Sequence, residues 1–365
     1  PLFGISGLAY GVVLGAIFHM SLQVPFIVQS GFFPRFTLRF HLAEIKNVVL
    51  LSLPRTLTLS ANQIALIFLV GFASLMSVGS VSVFNLSFNL QSVPLTIIGA
   101  SYSVAAFPTL ARLFTNGDRD KFFTQITVAA RHIIFWSLPA LVIFIVLRAQ
   151  IVRVILGSGE FTWADTRLTA AALALFAVSL LAQSLVLLFV RGYYAAGKTM
   201  KPLLINVLSS ILVILFAFGL VTLYEKSDLF RHFIEALLRV EGIAGTEVLM
   251  LPLGYSLALL FNAFLFWVLF QRDFSRFSKT LSTTFLQSLS AAIVMGVAIH
   301  QFLAIFDNIF DLNTFWGIFA QGFFSGILGI IVGIFVLQAL KNNEIREVWS
   351  SLHKKFWKSK VISSE

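Results

Sequence analysis

Long apolar runs separated by short polar connections dominate the chain. They span about 3–26, 47–73, 81–112, 123–148, 165–190, 202–224, 248–271, 283–305 and 314–340. Each comes close to or exceeds the ~20 residues that cross a bilayer as a helix. The pattern predicts an all-α polytopic membrane protein with about nine transmembrane helices. Pro94 and Gly99 fall inside the long third run, and the missing proline N–H predicts a kink there. Thr162-Trp-Ala-Asp165 reads as a capping box opening the fifth run, and Asp118 after Gly117 as a cap for the fourth. The connection 225–247 carries Leu229, Phe230, Phe233, Ile234, Leu237 and Leu238 at helical spacing, which predicts a short helix lying on the membrane surface. Beyond 340, Ile345, Val348, Trp349, Leu352 and Phe356 share one helical face beside lysines. That tail reads as a basic amphipathic helix on the anionic inner leaflet, or as a solvated, weakly helical tail.

Composition agrees. Of 365 residues, 58% are hydrophobic and 12% charged, and the mean hydropathy is +0.92. Soluble domains carry about twice that charge. The net charge of +10 would suggest nucleic acid for a soluble protein; here it reads as a topology signal, with no nucleic-acid partner implied. Alternate connections and the tail hold 19 of the 26 Lys and Arg residues, from Arg35, Arg39 and Lys46 to Lys358 and Lys360. The other connections hold six: Arg148, Arg153, Arg167, Lys226, Arg231 and Arg239. This alternation supports the count of nine and predicts a cytoplasmic C-terminus. The chain opens at Pro1 on an apolar run without a basic leader, so it reads as one whose beginning is missing. There is no cysteine, which excludes disulfides and thiolate chemistry.

Candidate chemistry is sparse. His19, His41, His132, His232, His300 and His353 offer no pair at i, i+3 or i, i+4, so no helical metal site and no cofactor is implied. Acidic residues fall almost wholly in connections or the tail, and no enzyme motif is present; an enzyme is not expected. The exception to the charge alternation is Arg55, inside the second run with Asn62 and Gln63. A cation within a span costs about 2.5–3.5 kcal/mol and faces a wet cavity or a partner, unless it snorkels to the headgroups. Asn62 lies about two turns after Arg55 and can share its side. The third run adds Asn85 and Asn89 at i, i+4, the fifth Gln183 and, at its end, Arg191, the sixth Asn206 and the seventh Asn262. Each amide alone can be helix–helix glue, and Arg191 can be an ordinary inner-face anchor. Together, arginine and amides without an acid describe an anion pocket, with phosphate the chemistry that Arg matches bidentately.

Several segments in order resemble the MurJ (MviN) lipid II flippase family of the multidrug/oligosaccharidyl-lipid/polysaccharide exporter superfamily. They are Gly7–Gly15 with His19, Gln23 and Pro25; Ser60-Ala-Asn-Gln63; Gly79-Ser-Val-Ser82 through Leu90 and Pro94, then Ala105-Ala-Phe-Pro108; Gly159-Glu-Phe-Thr162-Trp-Ala-Asp165-Thr166; and Gly192-Tyr-Tyr194 through Lys201-Pro202. Each motif is weak alone, but their order across 1–210 is specific; beyond 210 only the hydropathy pattern matches. The resemblance implies helices six to fourteen of a fourteen-helix protein. Residues 1–28 would end an N-lobe, 47–271 form a C-lobe six-helix bundle, 283–340 add two helices that make a groove for a polyprenyl tail, and 341–365 form the cytoplasmic tail. It implies a bacterial plasma-membrane protein that flips a polyprenyl-diphosphate-linked peptidoglycan precursor by alternating access. One departure matters: where the family often has an Asp-Arg pair facing the cavity, this chain has Phe88 and Asn89. The expected substrate contacts are therefore Arg55, Asn62, Gln63, Asn85, Asn89 and Arg191, with Arg55 standing in for the lost arginine. With no acid in the spans, membrane potential is expected to contribute to driving. The alternatives are export of another polyprenyl-linked glycan, multidrug antiport, and a non-transporting scaffold; the sequence leaves the oligomeric state open.

Overall fold

The computed structural model describes residues 6–31, 42–157, 159–274 and 279–357; for some of these, including 42–45, Arg55 and 351–357, the description stops at the backbone. Every regular element among the described residues is helical. Arg35, Arg39, Arg276, Lys358 and Lys360 lie outside them, as do the side chains of Lys279, Lys354 and Lys355. Two units are distinguished, Pro1–Ser52 and Leu53–Glu365.

The first unit holds α1 (Ser6–Gln29), with Pro25 inside it, and the start of α2 (Leu42–Ser74). In α1 the Ser21 hydroxyl donates to the Ile17 carbonyl at 2.8 Å, and Gln23 Nε2 lies 3.3 Å from His19 Nε2 one turn away. Both are local ways of satisfying polar atoms within an apolar helix.

The second unit continues α2 and adds α3 (Ser80–Pro94), α4 (Ser101–Thr115), α5 (Arg119–Val146), α6 (Arg148–Leu156), α7 (Trp163–Ala177) and α8 (Leu180–Ala195). There follow α9 (Met200–Lys226), α10 (Asp228–Leu238), α11 (Met250–Asp273), α12 (Lys279–Asp307), α13 (Phe315–Ala339) and α14 (Asn343–Trp357). Among the described residues of the two units, eight spans are long and apolar enough to cross a membrane, and nine when α7 and α8 count as one bent span. That agrees with the nine runs read from the hydropathy pattern.

Two interruptions mark the spans. In the third run, where the proline falls, α3 and α4 form one 36-residue span, joined by a six-residue π-helical segment, Leu95–Ala100. The bend sits in the fifth run, where α7 and α8 meet at 42° around Ser179. Proline removes one N–H from the third run, and the wider π turn follows directly after it. Ser179 turns its hydroxyl back to the Phe176 carbonyl at 2.8 Å, competing with the helical ladder where no proline signals it. The capping box at Thr162 and Asp165 forms in full. Asp118 gives no side-chain cap and pairs instead with Lys121 at 3.3 Å.

The bundle core consists of two main apolar clusters. One gathers Leu69, Phe84, Phe176, Val213 and Met250; the other gathers Leu110, Ile126, Phe189, Tyr193, Phe266 and Phe270. Along α3–α4, α7–α8, α9 and α11 alike, a buried polar residue lies between the two clusters: Gln91, Gln183, Asn206 and Asn262. The bundle therefore has a polar waist. α9 and α11 lie close at Gly254, where a Cβ would sit 2.7 Å from the Ala217 nitrogen. Such close backbone approach is how small residues join membrane helices.

α12 and α13 pair with each other, α12 packs along α5, and α13 meets α6. The tail differs from a solvated or wholly interfacial helix. Ile345 is buried with Phe135, Ala291 and Leu337, and Val348 packs against them, whereas Trp349 is exposed. The Glu344 carboxylate, 1% exposed, accepts from Arg131 Nε at 2.7 Å and from the Thr284 hydroxyl at 2.9 Å. The first turn of α14 is thus docked by a buried ion pair. α10 is the amphipathic helix expected of 225–247, capped by the Ser227 hydroxyl, with Ile234 and Leu238 buried.

Candidate functional site

The polar waist is built from two interrupted helices. The π segment places Gly99 so close to α8 that a Cβ would lie 2.7–2.9 Å from Ser184 Oγ, Cα and Cβ. Glycine is needed there for approach, and the neighbouring hydroxyl is tied down: Ser184 donates to the Leu180 carbonyl at 2.8 Å. At the α7–α8 bend, the Ser256 hydroxyl of α11 donates to the Leu175 carbonyl at 2.7 Å and lies 3.2 Å from Ser179 Oγ. A carbonyl left over at a broken membrane helix must find such a partner, because lipid offers none.

Amides extend the seam. Gln183 Nε2 donates to Ser179 Oγ at 2.8 Å and to Gln91 Oε1 at 3.4 Å, and Tyr255 Oη donates to Gln183 Oε1 at 3.5 Å. Asn262 Nδ2 donates to Asn206 Oδ1 at 3.2 Å, and Asn206 donates to the Pro202 carbonyl at 2.9 Å. Beside them lies a cavity of about 140 Å³ lined by Asn62, Gln183, Asn206, Ser209, Ser210, Tyr255 and Asn262 among others. Asn262 Oδ1 and Ser209 Oγ are buried without a hydrogen-bond partner among the described residues. Every polar group of this lining is neutral at pH 7. Among the described residues no cluster of three or more His, Asp or Glu side chains could hold a metal ion.

The sequence-derived site residues fall into three groups. Asn62 is exposed but lines the waist cavity, accepting from the Ser210 hydroxyl at 3.2 Å. Gln63, Asn85 and Asn89 are exposed and do not line that cavity; Asn85 and Asn89 share one exposed face of α3. Arg191 is half-buried near the end of α8 and engaged with its surroundings. Arg55 lies in α2, and its side chain is outside the described residues. Phe88 turns inward, stacked on Phe84 and edge-on to Phe176 and Tyr255 with centroids 5.5–6.2 Å apart. The sequence marks Gln183, Asn206 and Asn262 singly, and only the structure adds Ser179, Ser256 and Tyr255 to them. The available signal was a serine in the middle of each apolar run.

A second cavity, about 700 Å³, is almost wholly apolar. Ile97 and Ile98 of the π segment, Phe135, Trp136 and Ile143 of α5, Ala291, Ala292 and Met295 of α12, Ile330 and Ile334 of α13, and Ile345 and Val348 of α14 line it.

Comparison with known proteins places this architecture. The family model described as "Lipid II flippase MurJ" matches residues 2–320. A probable lipid II flippase MurJ from Bdellovibrio bacteriovorus is 30% identical over 204 residues, covering 56% of this chain and 39% of that protein. One from Haemophilus influenzae is 24% identical over 310 residues, covering 81% and 55%. The chain thus spans about half the length of the curated relatives it matches, or less. A solved structure titled "Lipid II flippase MurJ, inward closed conformation" shares the fold with a TM-score of 0.59 at 18% identity, over 86% of this chain and 57% of that one. With the family model covering most of its length, the chain belongs to the lipid II flippase MurJ family.

Proposed function

We propose that this protein moves lipid II, the polyprenyl-diphosphate-linked peptidoglycan precursor, from the inner to the outer leaflet of a bacterial plasma membrane by alternating access. Residues 1–28 act as the last helix of an N-lobe, 47–271 as the C-lobe bundle, and 283–340 as the additional pair. The observation that carries the reading is the apolar cavity between α5, α12, α13 and α14, shaped to take hydrocarbon beside a bundle with a polar interior. A lipid tail remains in an apolar environment there while its headgroup crosses. Repeat-built transporters place interrupted helices at the moving centre, and the waist with its π segment and bent α7–α8 pair suits that role.

Gln63, Asn85 and Asn89 are exposed and available to a diphosphate, and Arg55 supplies the cation on α2. The C-terminal helix lies on the cytoplasmic side, as the charge alternation requires. Membrane potential contributes to driving, at about 2.3 kcal/mol per charge moved through 100 mV.

The test fills the trough. Ala292→Trp with Ile330→Trp in the full chain is expected to abolish rescue of cells depleted of their own flippase, with membrane insertion and melting temperature retained. Full rescue would remove the reading. The same assay with Arg55→Ala probes the diphosphate contact, and unchanged rescue discards that assignment.

A further inference from the structure

A third cavity, about 560 Å³, lies at the end of the second unit distal to α14. Arg148, Arg167 and Arg239 line it together with His300, Gln321 and a single acidic side chain, Asp307. The sequence counted these arginines only as topology charges.

The chain gathers them through the end of α10. Arg239 takes a left-handed conformation, φ 60°, which reverses the chain and leaves two carbonyls of the helix end pointing outward. Arg148 Nη2 donates to the Leu238 carbonyl at 3.0 Å, and Arg167 Nε to the Arg239 carbonyl at 3.0 Å. Cations at a helix C-terminus are favourable, and a purely structural account would stop there. It explains two guanidiniums but not the third, and beyond Arg148 Nη2 and the Arg167 Nε and Nη2 pair, their N–H donors have no protein partner among the described residues. Among the described residues none of the three forms an ion pair with a carboxylate, whereas Arg131 at the other end of the same α5–α12–α13 seam has Glu344. Burial first, and then the charge of Arg239, depress the pKa of Arg148. Bringing like charges to one cavity costs energy that an anion offsets.

Two observations identify the anion. First, α10 presents Leu229, Phe233 and Leu237, 60–83% exposed, on the face away from buried Ile234 and Leu238. Phe315 and Trp316 are exposed at the start of α13. An amphipathic helix and aromatic side chains of this kind sit at headgroup depth. Second, the apolar trough continues the same seam. Met295 of the trough precedes His300 of the arginine cavity on α12, and Ile330 of the trough follows Gln321 on α13. At 1.5 Å per residue the two cavities are offset by roughly 8–14 Å along these helices. A charged head and a hydrocarbon chain on one molecule match that spacing.

We propose that the arginine cavity binds the phosphate of a membrane lipid, with its hydrocarbon chain directed along α5, α12 and α13 toward the trough. This site is separate from the waist and from Arg55, and it stands whether or not the protein transports lipid II. The ligand chemistry, a lipid phosphate, can come from an anionic phospholipid or from a polyprenyl diphosphate.

The full chain, purified in non-ionic detergent, would be titrated with phosphatidylglycerol, a long-chain polyprenyl diphosphate, inorganic diphosphate and phosphatidylcholine. Bound lipid would be read by native mass spectrometry and melting temperature. Both anionic lipids are expected to bind and to raise the melting temperature, and the tighter of the two names the source. The pair Arg167→Gln with Arg239→Gln is expected to weaken both about tenfold or more, and the lysine variants at the same positions to restore most of the binding. Unliganded variants that melt like the parent show that the fold is intact. Inorganic diphosphate binding as tightly as either lipid would overturn the lipid assignment. Phosphatidylcholine binding equally well, or glutamine variants that bind like the parent, would overturn the site. Lipid II transport that survives loss of this binding leaves the transport reading standing and this proposal intact.

Discussion

The two ends of the α5–α12–α13 seam handle arginine differently. Near α14, Arg131 meets one buried carboxylate, Glu344, which Thr284 also supports. At the distal end, Arg148 and Arg167 rest on backbone carbonyls, and Arg239 adds a third charge. Burial alone does not separate Arg131 from Arg148, both half-buried, although Arg167 and Arg239 are exposed. Charge balance does. A neutralised guanidinium is part of the scaffold, and its removal is felt by the fold. On the proposal made above, a guanidinium without a carboxylate serves a ligand, and its removal is felt there. The waist supplies a neutral reference, with hydrogen-bonded amides and hydroxyls between two apolar clusters.

The largest expected effect breaks the scaffold end. Arg131→Met leaves Glu344 buried without its cation and is expected to cost about 3–5 kcal/mol, read as a lower melting temperature in any detergent. Adding Glu344→Leu should return most of that loss; a double variant as unstable as the single one would contradict the pairing. Next is the waist. Gly99→Ala drives a methyl into the Ser184 backbone and is expected to cost about 1–3 kcal/mol, with Ser184→Gly as the partial rescue. Ser256→Ala strands the Leu175 carbonyl at the α7–α8 bend, for about 1–3 kcal/mol. The smallest effect on stability is expected at the distal end. Arg167→Gln should change the melting temperature of the lipid-free protein little, since the exposed guanidinium acts there through one helix-end contact worth about 0.3–1 kcal/mol. If Arg167→Gln destabilised the lipid-free protein as much as Arg131→Met, the contrast between the two ends would fail.

Much of the fold was legible because hydropathy and charge alternation are strong signals in a membrane chain. The nine runs, the Thr162 capping box and the amphipathic α10 all came from residue pattern alone. The docking of α14 was not legible. Glu344 sits in a basic tail, and nothing local distinguishes a carboxylate that will be buried from one that will be solvated. The bend at Ser179 was hidden because serine breaks a helix only when a partner such as Ser256 accepts the consequence. The site was legible in residue type but not in grouping. The amides were visible one by one, yet Asn62 pairs with Ser210 at the waist cavity while Asn85 and Asn89 do not line it, and only packing decides that. The distal arginines were visible too, but a reading that spent them on topology did not ask what they surround.

The π segment also sets rotational phase along the third span. In a regular helix each residue turns about 100°. By that count the buried positions Gly99, Ser103, Ala106 and Leu110 are rotated by about one residue from Phe84, Ser87, Gln91 and Pro94. One residue absorbed between 95 and 100 brings the two faces back into line, so a single continuous span can serve both apolar clusters. Inserting one further residue there would leave composition and length nearly unchanged, yet turn one half of the span by about 100° relative to the bundle.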